Sequence, residues 1–146
     1  MSLSLGQSQS YINNIENKKA LPSMQMFLYI LLVMPKETLL GLDTTTINSW
    51  ENALKTTIQS FNVNVTTTYP GESSSDLSTV NYYRHIRNAV SHAKCVYETE
   101  KGRTYVTFKD KDPKNSYHCE IKMLTSDVES ILEVLQKQIM IYLNRQ

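Results

Sequence analysis

A dominant charge sign is what this chain most clearly lacks. Fifteen Lys and Arg stand against fourteen Asp and Glu, a formal net charge of +1. No overall basic field announces a nucleic-acid partner, and any such contact must rest on a local patch. Cysteine is almost absent: Cys95 and Cys119 alone cannot build a disulfide framework. With no signal peptide, they read as free thiols of a reducing, cytoplasmic compartment. The longest apolar run, Met26 to Met34, is too short to span a bilayer, so no membrane association is expected. There is no internal repeat and no long low-complexity tract. What remains is ordinary globular composition in 146 residues, enough for one compact domain or one domain with a small appendage.

The few glycines and prolines act as punctuation. Residues 7–19 read as a short helix with Ser8 as cap and Tyr11, Ile12 and Ile15 on its apolar side. Pro22 suits the first turn of a second helix reaching Met34, and Pro35 and Gly41 end it. Thr44 to Thr46 offer caps for a third, with Ile47, Trp50, Leu54, Ile58 and Phe61 at helical spacing. Residues 62–75 read as a long polar connection turning at Pro70-Gly71. Ser74 or Ser75 can cap a fourth helix. Thr104, Val106 and Phe108, then Cys119, Ile121 and Met123, alternate with polar residues as in a hairpin with one buried face. Its tip, Lys109 to Asp112, reads as solvated. Ser126-Asp127-Val128-Glu129 reads as a capping box. It opens a last helix with a stripe of Val128, Ile131, Leu132, Leu135, Ile139, Tyr142 and Leu143. The expected fold is mainly α: a helical bundle with a small antiparallel hairpin inserted before the last helix.

The fourth helix carries the chemistry. In NYYRHIRNAVSHAK, a helical projection gathers Arg84, His85, Arg87, Asn88, Ser91 and His92 within an arc of about 160°. Tyr82, Tyr83, Ile86, Ala89, Val90 and Ala93 fill the other side. Two arginines, two histidines, an amide and a hydroxyl with no neutralising carboxylate are unusual for a merely solvated face, which more often mixes signs. Arginine binds phosphate and histidine carries protons near neutral pH. A metal is not expected. His92, Cys95, His118 and Cys119 are the soft ligands at hand, but His118 and Cys119 are neighbours on a strand and point to opposite faces. No cofactor is expected either.

Arg87-Asn88-Ala89-Val90-Ser91-His92 resembles the R-x4-H motif of the HEPN superfamily. The hairpin beginning Phe108-Lys109-Asp110-Lys111-Asp112-Pro113 and the long last helix follow in the order of one HEPN subgroup. The resemblance covers residues 46–146 and implies a HEPN-like domain over 44–146. It implies an endoribonuclease of the toxin or phage-defence type, metal-independent, working as a homodimer with both motifs in one cleft. In it Arg87, Asn88 and His92 would be catalytic, with Arg84, His85 and Ser91 contacting RNA, and a cognate antitoxin would be a partner. One histidine supplies a base or an acid but not both at once, and a dimer supplies two. The alternative is a HEPN-like module that binds nucleic acid or a partner without cutting.

Residues 1–41 resemble part of another family. LGQSQSYINNIENKKALPS is similar to the recognition helix and exit of a lambda-repressor-like (Xre-type) helix-turn-helix, whose first two helices are missing here. The resemblance implies DNA contacts from Gln9, Ser10, Tyr11 and Asn13, since Gln and Asn can pair with adenine in the major groove. A DNA-binding regulator is therefore a further alternative.

Overall fold

The computed structural model describes residues 20–35 and 42–145. The first helix, α1 (Ala20–Leu28), continues into a wider π-helical turn over Tyr29–Val33 that buries Leu32 and Val33. α2 (Thr44–Gln59) follows, with its buried stripe Trp50, Leu54 and Ile58 at helical spacing. Its cap is Asp43, one residue earlier than the threonines expected, accepting from the Thr46 N–H at 2.7 Å. After β1 (Asn64–Thr67) and a 3₁₀ turn (Leu77–Thr79), Asn81 caps α3 (Tyr82–Ser91), displacing the expected Ser74 and Ser75.

Three strands then form a meander, β2 (Cys95–Glu100), β3 (Arg103–Lys111) and β4 (His118–Leu124). β1 pairs antiparallel with the outer side of β4, giving one sheet in the order β1-β4-β3-β2. β2 and β3 turn through Lys101 (φ 50°) and Gly102 (φ 78°). Two successive left-handed residues match the right-handed twist of the strands they join. β4 runs without a loop into α4 (Thr125–Leu143); the residue before the helix is Leu124 and no side chain caps it. The Ser126 capping box is therefore not formed.

These strands correct the expected fold class. The protein is an α+β domain with a four-stranded antiparallel sheet, not a mainly α bundle with a small hairpin. The hairpin of β3 and β4 is present in the expected phase, with Val106, Phe108, Cys119, Ile121 and Met123 buried. β1 and β2 flank it as edge strands. β1 has four residues, too few for alternation to stand out from a polar loop, and its partner lies far along the chain.

The inward face of the sheet carries α3 against β3, and α2 and α4 close the core, where Trp50 meets Tyr142 edge-on at 6.1 Å. Met24, Leu28 and Leu32 join the same buried cluster. The outward face is charged, with Lys122 bridging to Glu100 at 2.6 Å and Lys109 facing Glu120 at 3.6 Å. No helix among the described residues is long and apolar enough to cross a membrane.

Candidate functional site

α3 ends in a complete left-handed cap. Ala93 takes φ 52°, its N–H meets the Val90 carbonyl at 3.2 Å, and the Lys94 N–H meets that of Ala89 at 2.7 Å. This Schellman arrangement stops the helix at His92 and turns the chain sharply into β2. His92 is left exposed. It lines an open groove of about 990 Å³ with Lys94, Lys109, Lys111 and His118. Asp110 and Glu120 are the acidic members of that lining. The Lys109 N–H donates to the Lys94 carbonyl at 2.9 Å, which ties the helix end to β3. Lys111 is paired with His118 across the sheet.

The motif residues divide between two environments. Arg87 is half-buried beside Tyr83, with its guanidinium carbon 5.9 Å from the ring centroid. It donates to Asn88 Oδ1 at 3.3 Å. It is not among the residues that line the His92 groove. Arg84 and Ser91 are exposed, and Arg84 stacks 5.1 Å above the Tyr69 ring. His85, expected on the polar face, is 1% exposed. Gln9, Ser10, Tyr11 and Asn13 lie outside the described residues.

Beneath the motif sits a buried polar cluster that the sequence reading did not anticipate. Asp110 Oδ2 accepts from His85 Nδ1 at 2.8 Å, from Asn88 Nδ2 at 3.2 Å and from the Tyr69 hydroxyl at 3.3 Å. Glu72 faces His85 Nε2 with both oxygens, at 2.9 and 3.0 Å. Glu72 also accepts from the Thr67 hydroxyl at 2.8 Å and from the Asn81 N–H at 3.1 Å. Burial alone would raise the Glu72 carboxyl, but these hydrogen bonds outweigh it and its pKa is lowered. Burial, reinforced by the Asp110 charge, pushes the Tyr69 phenol up to about 12. Asn88 is thus fixed from both sides, by Asp110 and by Arg87.

Asp110 was readable. It continues the inward alternation of Val106 and Phe108, and only its place among four charged residues made it look solvated. Glu72 carried no such signal, because nothing local shows that the loop after β1 folds back over α3. The sequence alone offers His118 only as a metal ligand; that it lines the same groove as His92 depends on the fold.

An antiparallel sheet carrying a polar-cored helix that ends in an exposed histidine defines a small α+β domain of the R-x4-H kind. The chain matches the family described as HEPN pEK499 p136 over residues 4–146, and it belongs to that HEPN family. No curated protein and no solved structure matches the chain. The family match runs through the amino-terminal segment, and the helix-turn-helix resemblance is not shown.

Proposed function

We propose that this protein is a metal-independent endoribonuclease of the toxin or phage-defence type. It acts in the cytoplasm as a homodimer held in check by a cognate antitoxin. One observation carries the reading: His92 opens onto a groove that also contains His118 and three lysines. RNA supplies its own nucleophile. A base takes the proton of the 2′-hydroxyl, the oxygen attacks phosphorus, and an acid protonates the departing 5′-oxygen. The products are a 2′,3′-cyclic phosphate and a 5′-hydroxyl end. His92 and His118 give one groove two proton carriers, and Lys94, Lys109 and Lys111 offer cations for the charge that builds on the phosphoryl oxygens. His118 supplies within one chain what the sequence reading sought from a second.

Dimerisation remains part of the proposal for a different reason. Arg87 lies outside the groove lining of its own chain, and a second copy can bring a guanidinium to it. Among the described residues Phe27, Ile30, Met140 and Leu143 are exposed on α1, its π-helical continuation and α4, apolar surface of the kind a subunit contact covers.

The test is cleavage of single-stranded RNA in excess EDTA. His92→Ala and Arg87→Ala should each lower the rate by a factor on the order of 10²–10⁴. Co-refolding the two variants should restore up to about a quarter of wild-type activity, because half of randomly mixed dimers contain one intact composite site. Folded wild type that leaves a broad RNA panel uncut would favour the binding-only alternative. Cleavage by wild type without recovery in the mixture would place Arg87 and His92 in the same chain's site.

A further inference from the structure

His85 is surrounded by groups that accept protons but do not give them. Carboxylates only accept hydrogen bonds, and one stands at each ring nitrogen: Asp110 2.8 Å from Nδ1, and Glu72 2.9 Å from Nε2. A neutral imidazole has a single N–H. With that proton on the Asp110 side, the Nε2 lone pair points at a carboxylate inside a site the solvent barely reaches. Something positive must lie between them, either a second proton or a cation. Cys119 Sγ makes the third side of this space. One ligand atom each from Glu72, His85 and Cys119 lie within 4.8 Å of one another.

We propose that Glu72, His85 and Cys119 form a buried site for one zinc-like divalent transition-metal ion, with Asp110 holding the His85 ring through its Nδ1–H. The donor set is one nitrogen, one sulfur and one carboxylate oxygen, which suits zinc or cobalt and not magnesium or calcium. Ligands at about 2.0–2.3 Å from one ion stand roughly 3.3–3.8 Å apart, so uptake would move Glu72 away from its 2.9 Å contact with His85 Nε2. A carboxylate behind the far nitrogen is the usual support of a ligating histidine, and Asp110 occupies that position. The Thr67 hydroxyl, 2.8 Å from Glu72 Oε2, is a further oxygen donor at hand.

The Glu72 carboxylate, the Cys119 sulfur and, behind the ring, Asp110 would give the ion counter-charge in a buried site. Cysteine ligates as the thiolate, so uptake releases a proton. The ion would tie the loop after β1, α3 and β4 together, on the side of β4 opposite His118. It shares only Cys119 with the soft ligands the sequence offers, and of its residues only the supporting Asp110 also lines the proposed catalytic groove. The inference does not depend on the ribonuclease reading.

The experiment uses the full chain, dialysed against a chelator and titrated with cobalt(II) at neutral pH. One equivalent should bind with an intense near-ultraviolet thiolate-to-cobalt band, release protons and raise the melting temperature. Cys119→Ser, checked for fold by circular dichroism, should lose the band and bind at least about tenfold more weakly. Glu72→Gln should weaken binding by a similar factor. Unfolding on chelation that cobalt reverses would also support the site. Folded wild type that takes up no cobalt at millimolar concentration would overturn it. So would binding of equal strength in the Cys119→Ser protein.

Discussion

Asp110 is the position where a single substitution should cost most. Three donors meet on one of its oxygens, from His85 at 2.8 Å, Asn88 at 3.2 Å and Tyr69 at 3.3 Å, and the residue is 6% exposed. Asp110→Ala strands all three. A buried donor left unsatisfied costs about 1–3 kcal/mol, and because two of the three contacts are long, the lower half of that range applies. The expected loss is about 3–6 kcal/mol, a large part of the roughly 5–15 kcal/mol that stabilises an ordinary domain. Asp110→Asn separates charge from hydrogen bonding. Its carbonyl oxygen can occupy the place of Oδ2 and still accept from the same donors, so only the charge-assisted part is lost, about 1–2 kcal/mol. Urea denaturation followed by far-ultraviolet circular dichroism, with a common m-value, measures both. The reasoning is refuted if Asp110→Ala stays within about 1 kcal/mol of wild type. If Asn is as damaging as Ala, charge and not donor satisfaction holds the cluster.

Two further expectations concern single sites. Ala93 holds φ 52°, where a Cβ is strained, so Ala93→Gly should stabilise the fold by about 0.5–1 kcal/mol in the same urea assay; a loss of stability would count against the helix cap described. Glu72 has a lowered pKa in the folded state, so the unfolded chain takes up the proton first. Its contribution is present above the ordinary value of 4.5 and lost as the pH falls through the lowered one. Glu72→Gln should flatten the acid limb of a stability–pH profile, and an unchanged limb would assign acid lability to other carboxylates.

Legibility in the sequence followed how local each signal is. The stripes of α2 and α4 and the alternation of β3 and β4 are repeated patterns within single elements; they fall where expected except at the stripe ends, where Phe61 lies beyond α2 and Leu143 is exposed. The edge strands depend on partners elsewhere: Val65 becomes a strand residue because Ile121 is opposite. The helical projection puts the polar motif residues in one arc, but a projection cannot say where solvent ends. Position on the wheel put His85 beside Arg84, whereas the loop bearing Glu72 and the inward Asp110 cover it. Arg87 and His92 are joined by sequence motif and separated by surroundings, one against Tyr83 and the other in the groove. No spacing rule within one helix reports that difference.

The position of β1 also bears on the order in which the protein assembles. β2, β3 and β4 are joined by short turns, but Val65 must find Ile121 across most of the domain. Closing so long a loop is slower than zipping a meander and gains its contacts only at the end. The meander should therefore form first and β1 dock onto it last. Glu72 follows directly behind β1, so the polar cluster under the motif helix is completed only at that final step. Amide exchange at Thr66 and Thr68, whose N–H groups face β4, should accordingly be faster than at Phe108 and Ile121. A chain caught before β1 docks would present its motif helix with His85 still open to water.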